Sequence, residues 1–367
     1  MLTITIYFIL GIAFLLFGAD ILVRGSVRVS EALGIPPLIM GLTVVAFGTG
    51  SPELAISLKA QVVGSSEIAL GNIIGSNICN ILLILGVTAL LTTVTISIQV
   101  VRRDVPFFVF ISFAPLVLGY NGIISRIDGL FLVCLYLLYT YWLVRESRQT
   151  QDVIQVPKKH FKQKSTNFRK YFLIWNIWLI MFGLLSLFIG SQWVVDSAVS
   201  LARILGISKL VIGLTIISFS TSLPEIATSV VAALRGRIEI AVGNVVGSNI
   251  FNILIVLGIA STVSSHGIHV TQQALWVDIP VMISTSIICL PIFLTGRMID
   301  RFEGGLLLFY YGIYMVYLFL RTSGNAYLPE YIAITLGFVI PLTFLILSIS
   351  FWRFLKQKLR LHPKRNE

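Results

Sequence analysis

The sequence predicts an all-α polytopic membrane protein, in which a ten-helix body of five plus five helices forms an inverted-topology repeat and one extra C-terminal transmembrane helix follows. Three observations support this. The 367 residues are 56% hydrophobic and only 12% charged, with a mean hydropathy of +0.93, a composition that excludes an ordinary soluble domain. Eleven apolar segments have close to the length that a spanning helix needs, about 20 residues. A long motif also occurs twice.

The order of the apolar segments gives the domain organisation. We predict transmembrane helices at residues 4–23, 37–58, 68–91, 105–120, 127–144, 171–195, 210–234, 238–263, 275–294, 304–320 and 331–354. The predicted units are a first five-helix half at 1–144, a basic cytoplasmic linker at 145–170, a second half at 171–321, and the extra helix with a basic tail at 322–367. The first segment is expected to be a retained helix, because no small-residue cleavage site follows it.

The doubled motif lies at residues 41–86 and 213–258, and its copies agree without a gap at about 25 of 46 positions. Each copy is an apolar segment broken by Gly, Pro and Glu, followed by a second apolar segment broken at Gly-Ser-Asn-Ile. Because the repeat has a period of five helices, an odd number, the second half must enter the membrane from the opposite side. Paired, interrupted hydrophobic segments of this kind point to the binding site of a transporter.

The basic side chains predict the orientation in the membrane. The formal net charge is +11, and about 22 of the 27 Lys and Arg residues fall on one side of the predicted helices. The N-terminus is therefore predicted outside and the C-terminus in the cytoplasm, in the plasma (inner) membrane. Basic cytoplasmic loops explain the charge, so lipid rather than nucleic acid is the expected partner. Cys79, Cys134 and Cys289 lie in apolar segments and have no metal-ligand spacing.

Two glutamates stand near the middle of apolar spans. A carboxylate at that depth costs about 2.5–3.5 kcal/mol on insertion scales, and no Lys or Arg lies near the centre of either motif. Glu53 and Glu225 therefore require a bound cation or a proton. The proline before each glutamate cannot donate a hydrogen bond, so we expect the carbonyl groups of Gly48 and Ser220 to be free for an ion.

Further oxygen atoms accompany the two glutamates. Hydroxyl groups stand beside them, and in the next segments a serine and an asparagine four residues apart share one helix face. These residues are Thr49, Ser51, Thr221, Ser222, Ser76, Asn80, Ser248 and Asn252. Calcium prefers six to eight oxygen ligands, and sodium accepts the same hard oxygens. Small residues at Gly71, Gly75, Gly243 and Gly247 favour close helix approach around this predicted cage.

The sequences GTGSPE with GNIIGSN and STSLPE with GNVVGSN resemble the two alpha-repeats of the cation/calcium exchanger superfamily, most closely the prokaryotic sodium/calcium exchangers. The resemblance covers the ten-helix body and leaves out the eleventh helix. It implies four central ion sites. The residues that it implies as metal ligands are Thr49, Glu53, Ser76, Asn80, Thr221, Glu225, Ser248 and Asn252, with the backbone oxygens of Ala46 and Ser218.

The sequence departs from the usual family pattern at a few positions. Gly50 and Ser51 replace Ser and Leu, Ser220 replaces Gly, and Asn252 stands where many members have Asp. The cage then has one carboxylate fewer, which leaves ion stoichiometry and potassium dependence open.

We hypothesise a secondary antiporter that exchanges calcium for sodium by alternating access, with the long first and sixth helices sliding across the core. Calcium/proton exchange, potassium-dependent exchange and a cation channel are the alternatives. An enzyme is not expected, because no nucleophile, base and orienting group share one depth. No cofactor is expected, the partners are calcium, sodium and membrane lipid, and the expected oligomeric state is a monomer.

Three further pairs of residues have simpler explanations. Asp104 and Asp278, each two residues before a proline, are predicted to cap helix N-termini. Glu67 and Glu239 are predicted to be acids of a first helical turn. His266 and His269 are predicted to lie in an external loop, and their i, i+3 spacing alone does not indicate a metal site.

Overall fold

Helices make up most of the chain that the structure describes. The computed structural model describes residues 2–153, 166–204, 220–294 and 297–339. Its helices are α1 Leu2–Leu33, α2 Pro37–Thr49, α3 Ser51–Val62, α4 Ser66–Leu91, α5 Val105–Ser112, α6 Ala114–Leu118, α7 Arg126–Val153, α8 Thr166–Ile204, α9 Leu223–Leu234, α10 Ile238–Val263, α11 Ala274–Leu294, α12 Arg301–Thr322 and α13 Leu328–Ile334. Four two-residue strands are β1 Val94–Thr95, β2 Ile123–Ile124, β3 Ile268–His269 and β4 Met298–Ile299.

The predicted all-α, polytopic membrane architecture is confirmed. Within the described residues, seven helices are long and apolar enough to cross a membrane, and α2 with α3 adds an eighth span bent by 42°. The total of eleven stays a prediction, because residues 210–219 and 340–354 lie outside the described part. The predicted fourth helix is divided into α5 and α6 at Phe113.

Two helices continue beyond their apolar spans into the predicted linker. α7 continues to Val153 and α8 begins at Thr166, so both helices enter the stretch 145–170 that the sequence predicts as a linker. Residues 154–165 between them lie outside the described part of the chain. The Glu, Arg and Gln residues after the fifth span have good intrinsic helix propensity, so the helix does not end where the apolar pattern ends.

Helices α1 and α8 pack against each other through glycines. A Cβ atom on Gly18 would lie 2.8 Å from the carbonyl oxygen of Gly183, and a Cβ atom on Gly190 would lie 2.7 Å from that of Gly11. No side chain fits at such a close backbone approach. Gly11 corresponds to Gly183 in the repeat, and Gly18 corresponds to Gly190. The Gly18–Gly183 contact and the Gly11–Gly190 contact are therefore equivalent: exchanging the two halves of the repeat converts one into the other.

The same exchange relates other contacts between the halves. Strand β1 pairs with β4, and β2 pairs with β3, both antiparallel; β1 and β3 occupy equivalent places in the repeat, as do β2 and β4. A Cβ atom on Gly304 would lie 3.0 Å from the carbonyl oxygen of Gly86, and one on Gly258 would lie 3.0 Å from that of Gly129. This reciprocity is what an inverted repeat with a two-fold relationship produces.

Helices α4 and α10 form the centre of the protein. The membrane-crossing part of α10 is entirely buried and that of α4 largely buried, whereas α1, α7, α8 and α12 expose much of their surface. Large apolar side chains such as Trp175, Trp178 and Phe302 point outward. Lipid tails solvate such side chains without cost, so the apolar exterior is the expected surface of a membrane-spanning bundle.

The prediction that Asp104 and Asp278 cap helices is wrong. The Asp104 carboxylate accepts hydrogen bonds from Arg103 Nε at 2.7 Å and from the Tyr139 hydroxyl at 3.0 Å. Asp278 instead pairs with Arg321 at 2.8 Å. Both aspartates lie in π-helical turns that continue into the following helix, so the backbone N–H groups there are already bonded and leave nothing for a side chain to cap.

Candidate ion-binding site

The bend between α2 and α3 brings the first glutamate into the interior. Gly50 forms the bend with φ −81° and ψ 0°, and a Cβ atom there would lie 2.8 Å from the ring of Phe251 and 2.9 Å from the carbonyl oxygen of Ala46. Pro52 follows in the first turn of α3, where its missing N–H costs nothing. Glu53 is also in this first turn and is only 1% exposed.

The second copy of the motif forms the same turn. Ser222, with φ −84° and ψ 2°, precedes α9 and has nearly the backbone conformation of Gly50. Pro224 and Glu225 occupy the first turn of α9, and Glu225 is again only 1% exposed. Each glutamate therefore lies at a helix N-terminus, whose dipole favours a negative charge.

The two glutamates meet between the halves. Glu53 lies beside Thr221, Glu225 lies beside Thr49, and the two carboxylates are close enough to interact electrostatically. Within the described residues, the ion pairs involve neither glutamate. Glu53 Oε2 and both carboxylate oxygens of Glu225 are buried without a hydrogen-bond partner in the protein. Buried carboxylates need a counter-charge or a proton, so this centre is suited to a cation.

Asn72 and Asn244, two asparagines outside the predicted ligand set, form hydrogen bonds that position the site. Asn244 Nδ2 donates to Ser229 Oγ at 3.0 Å and to the Glu225 carbonyl oxygen at 3.4 Å. In the other half, Asn72 Nδ2 donates to Ser57 Oγ at 3.1 Å and to the Glu53 carbonyl oxygen at 3.2 Å. Each asparagine therefore fixes the turn of helix that carries the glutamate of its own half.

The same asparagines also reach across to the other half. Asn244 Oδ1 lies 3.1 Å from Thr49 Oγ1, and Asn72 Oδ1 lies 3.5 Å from Thr221 Oγ1. The threonine hydroxyls that the family resemblance implies as ligands thus face amides of the opposite half, and the Thr49 hydroxyl also lies 3.1 Å from the Val45 carbonyl oxygen of its own helix. The sequence contained a signal for both asparagines, because they are identical at equivalent positions of the doubled motif.

The serines and asparagines of α4 and α10 are brought to the same interior. Ser76, Asn80, Ser248 and Asn252 are all buried. Both serine hydroxyls, Asn252 Oδ1 and both side-chain polar atoms of Asn80 have no hydrogen-bond partner in the protein. Asn80 and Asn252 each begin a π-helical stretch, a feature found frequently at functional sites. Together they present buried oxygen atoms that an ion can satisfy.

Four predicted residues remain: Ser222 and Ala46 can contribute oxygen atoms to the site, Ser218 is not described, and Ser51 points away. Ser222 is fully buried and its hydroxyl has no partner in the protein, so it belongs with the oxygens above. The Ala46 carbonyl accepts the N–H of Gly50 at 2.9 Å and keeps one further lone pair. Ser218 lies outside the described residues. Ser51 is exposed and its hydroxyl donates to the Phe47 carbonyl at 2.7 Å, so it does not join the site.

The prediction that the Ser220 carbonyl is free is wrong. Ser191 Oγ on α8 donates to this carbonyl oxygen at 3.0 Å. Pro224 indeed cannot supply a hydrogen bond there, and a side chain from another helix replaces the missing donor. This contact depends on how α8 packs, which the local sequence pattern does not reveal.

The site consists of oxygen ligands. Within the described residues, no group of three or more His, Cys, Asp or Glu side chains could hold a metal ion. His269 lies in strand β3, and within the described residues His266 and His269 belong to no group of side chains that could hold a metal ion. Two carboxylates among hydroxyl and amide oxygens suit hard cations such as calcium and sodium rather than zinc or copper.

The fold and the site define a helical membrane protein. Its two halves are related as an inverted repeat, and a polar centre with two carboxylates lies between them. The family described as sodium/calcium exchanger protein matches residues 3–145 and 175–320. The chain belongs to this family, which consists of transport proteins rather than enzymes, and it is a multi-pass membrane protein.

Individual relatives agree with this assignment. The chain is 32% identical over 346 residues to the sodium/calcium exchanger MaX1 of Methanosarcina acetivorans, covering 85% of this chain and 97% of that protein. It is 37% identical over 292 residues to the inner membrane protein YrbG of Escherichia coli, covering 78% of this chain and 88% of that protein.

A solved structure of the sodium-calcium exchanger NCX_Mj, soaked with zero Na⁺ and Ca²⁺, superposes with a TM-score of 0.73 at 30% sequence identity. The superposition covers 87% of this chain and all of that chain. A second structure of NCX_Mj, soaked with 10 mM Na⁺ and zero Ca²⁺, also gives a TM-score of 0.73. The likeness therefore extends over most of the chain.

Proposed function

We propose that the protein is a secondary antiporter that exchanges calcium for sodium across the membrane by alternating access. The observation that carries this proposal is the pair Glu53 and Glu225, two buried carboxylates from opposite halves that form no ion pair within the described residues. The names of MaX1 and NCX_Mj support the choice of ions.

The proposed ligands are the residues that the sequence and the family resemblance selected. Glu53 and Glu225 provide the charge. Hydroxyl, amide and backbone oxygens complete the shell, from Thr49, Thr221, Ser76, Ser248, Asn80, Asn252, Ser222, Ala46 and Ser218. One calcium ion neutralises two carboxylates, and sodium ions that share the same carboxylates neutralise them instead. Competition for the same negative charge gives a physical reason for exchange.

Asn72 and Asn244 are proposed to position the site rather than to bind ions. Their side-chain nitrogens hold the helix turns of the two glutamates, and their side-chain oxygens face the threonine hydroxyls of the opposite half. An ion that pulls on a threonine or a glutamate therefore acts on both halves. The site thus joins the two halves whose relative movement produces alternating access.

The proposal extends to the location and partners of the protein. We place it in the plasma (inner) membrane with the N-terminus outside and the C-terminus in the cytoplasm, from the distribution of its basic residues. The inner membrane location named for YrbG supports this placement. Calcium and sodium act as substrates, no cofactor is needed, and the protein works as a monomer in membrane lipid.

The experiment measures radiolabelled calcium uptake into proteoliposomes loaded with sodium. We expect uptake that exceeds the uptake of vesicles loaded with choline and that stops when the sodium gradient is collapsed. Uptake driven by an imposed pH gradient and indifferent to sodium would replace the proposal with calcium/proton exchange. A requirement for potassium on the calcium side would show potassium-dependent exchange, and calcium flux without any counter-ion would show a channel.

A further inference from the structure

Two helices that are equivalent in sequence have different surroundings. α3 and α9 begin at the two glutamate motifs and correspond residue by residue. Ile56 on α3 is 38% exposed and Ala55 is exposed as well, whereas the corresponding Thr228 and Ala227 on α9 are buried, with exposures of 0% and 8%. One face of α9 is thus covered while the same face of α3 is open.

Helix α1 covers α9. Ala227 and Val231 of α9 belong to the same buried cluster as Leu22 and Val23 of α1. The exchanged arrangement would place α8 on α3. Instead, Ala55 and Ile56 of α3 stay exposed, and Ala55 borders a cavity of about 940 Å³ whose other walls include α2 and residues 177–188 of α8. The α1–α8 pair is therefore docked on the second half and set back from the first half.

Two polar contacts hold the pair in this docked position. Asp20 of α1 forms an ion pair at 2.8 Å with Arg235, directly after α9, and a second at 2.7 Å with Arg24 one turn along α1. Ser191 of α8 donates to the Ser220 carbonyl at 3.0 Å, just before α9. These two contacts, which we call the tethers, join both helices of the pair to the two ends of α9.

The repeat-related positions cannot form the same tethers. Asp20 and Arg235 correspond to Gln192 and Val63, which carry no charge. Ser191 corresponds to Ala19, which has no hydroxyl group. In an inverted repeat, docking the pair on α3 instead of α9 gives the oppositely facing state. That state would lack both polar contacts.

We infer that Asp20 and Ser191 are positioning residues that bias the transport cycle toward the state in which the α1–α8 pair is docked on α9. With the predicted orientation of the termini, the open face of α3 lies in the outer half of the membrane, so this resting state faces outward. The inference rests on the proposed alternating-access function and adds to it the residues that set the preferred state.

The size of the bias follows from the chemistry of the tethers. Asp20 and Arg235 are partly exposed, with side-chain exposures of 20% and 52%, so their ion pair changes the ratio of the two states by up to about fivefold. The hydroxyl-to-carbonyl bond of Ser191 adds a further factor of about fivefold. Loss of both tethers is expected to raise the share of the second state by about tenfold or more.

The test is the distance between two spin labels in nanodiscs. A variant in which the three native cysteines are replaced by alanine receives labels at Glu31→Cys, at the exposed end of α1, and at Ile98→Cys beside β1. Asp20→Asn and Ser191→Ala, alone and together, should each populate a second distance. Val63→Arg with Gln192→Asp builds the missing ion pair and should increase the same second population, whereas Val63→Arg alone serves as the control.

Distance distributions that are identical in the parent and in all tether variants would overturn the inference. A shift in the combined Val63→Arg and Gln192→Asp variant that equals the shift in Val63→Arg alone would overturn it as well. If one tether variant does not fold, the other and the added ion pair still decide the result. The distances are measured without ion gradients, so a failure here leaves calcium uptake unaffected, and a failure of calcium uptake leaves the distances interpretable.

Discussion

The substitution Asn244→Ala tests how the site is held together. Asn244 makes polar contacts of 3.0 Å with Ser229, 3.1 Å with Thr49 and 3.4 Å with the Glu225 carbonyl. A net hydrogen bond is worth about 1 kcal/mol, and buried groups left without a partner add to the loss. We therefore expect the free energy of unfolding to fall by about 2–4 kcal/mol. The loosened Glu225 turn should also raise the KM for calcium by about tenfold, which corresponds to about 1.4 kcal/mol.

The matched control is Asn176→Ala. Asn176 is likewise fully buried, but it lies on α8 and donates one hydrogen bond, to the Phe172 carbonyl at 2.7 Å. Its replacement should lower the unfolding temperature in detergent less than Asn244→Ala does and leave the KM for calcium unchanged. The assays are thermal unfolding of the purified protein and calcium uptake over a range of calcium concentrations. Equal changes of KM in both variants would refute a positioning role for Asn244.

Three further predictions concern packing, ion pairing and charge. Gly18→Val should abolish the folded yield, measured by size-exclusion chromatography, because its side chain would meet the Gly183 backbone, whereas Gly312→Val, at an exposed glycine, should be tolerated. Arg103→Ala leaves the buried Asp104 carboxylate without its counter-charge and should lower the free energy of unfolding by about 3–5 kcal/mol, measured as a lower unfolding temperature. An unchanged unfolding temperature would contradict a stabilising role of this ion pair. Asn252→Asp adds a carboxylate to the cage and should lower the calcium dissociation constant in calorimetry, and a weaker affinity would count against Asn252 as a ligand.

Much of the architecture could be predicted from the sequence, because it depends on composition and on local breaks. The apolar segments predicted the membrane helices, and the Gly, Pro and Glu residues of the doubled motif predicted a break in each copy, which the structure has at Gly50 and Ser222. Such breaks follow from backbone chemistry that each residue type has in any context. The motif also placed Glu53 and Glu225 in the interior, where the structure has them.

Contacts between distant helices could not be predicted in the same way. The Ser191 hydroxyl that satisfies the Ser220 carbonyl comes from another helix, and the partners of Asp104 become known only when α7 is packed against α5. The unequal covering of α3 and α9 is the strongest example. The two segments occupy equivalent places in the repeat and share its apolar pattern, so their unequal covering follows from the position of the α1–α8 pair rather than from the local pattern.

The proposed exchange depends on two buried glutamates that bind the exchanged ions. The direct measurement is sodium-driven calcium uptake by Glu53→Gln and Glu225→Gln, compared with Glu67→Gln and Glu239→Gln, which change exposed first-turn acids of α4 and α10. We predict that the first two variants fold and lose uptake, whereas the second two keep it. Normal uptake by Glu53→Gln or Glu225→Gln, or equal losses in all four variants, would contradict this role of the two glutamates.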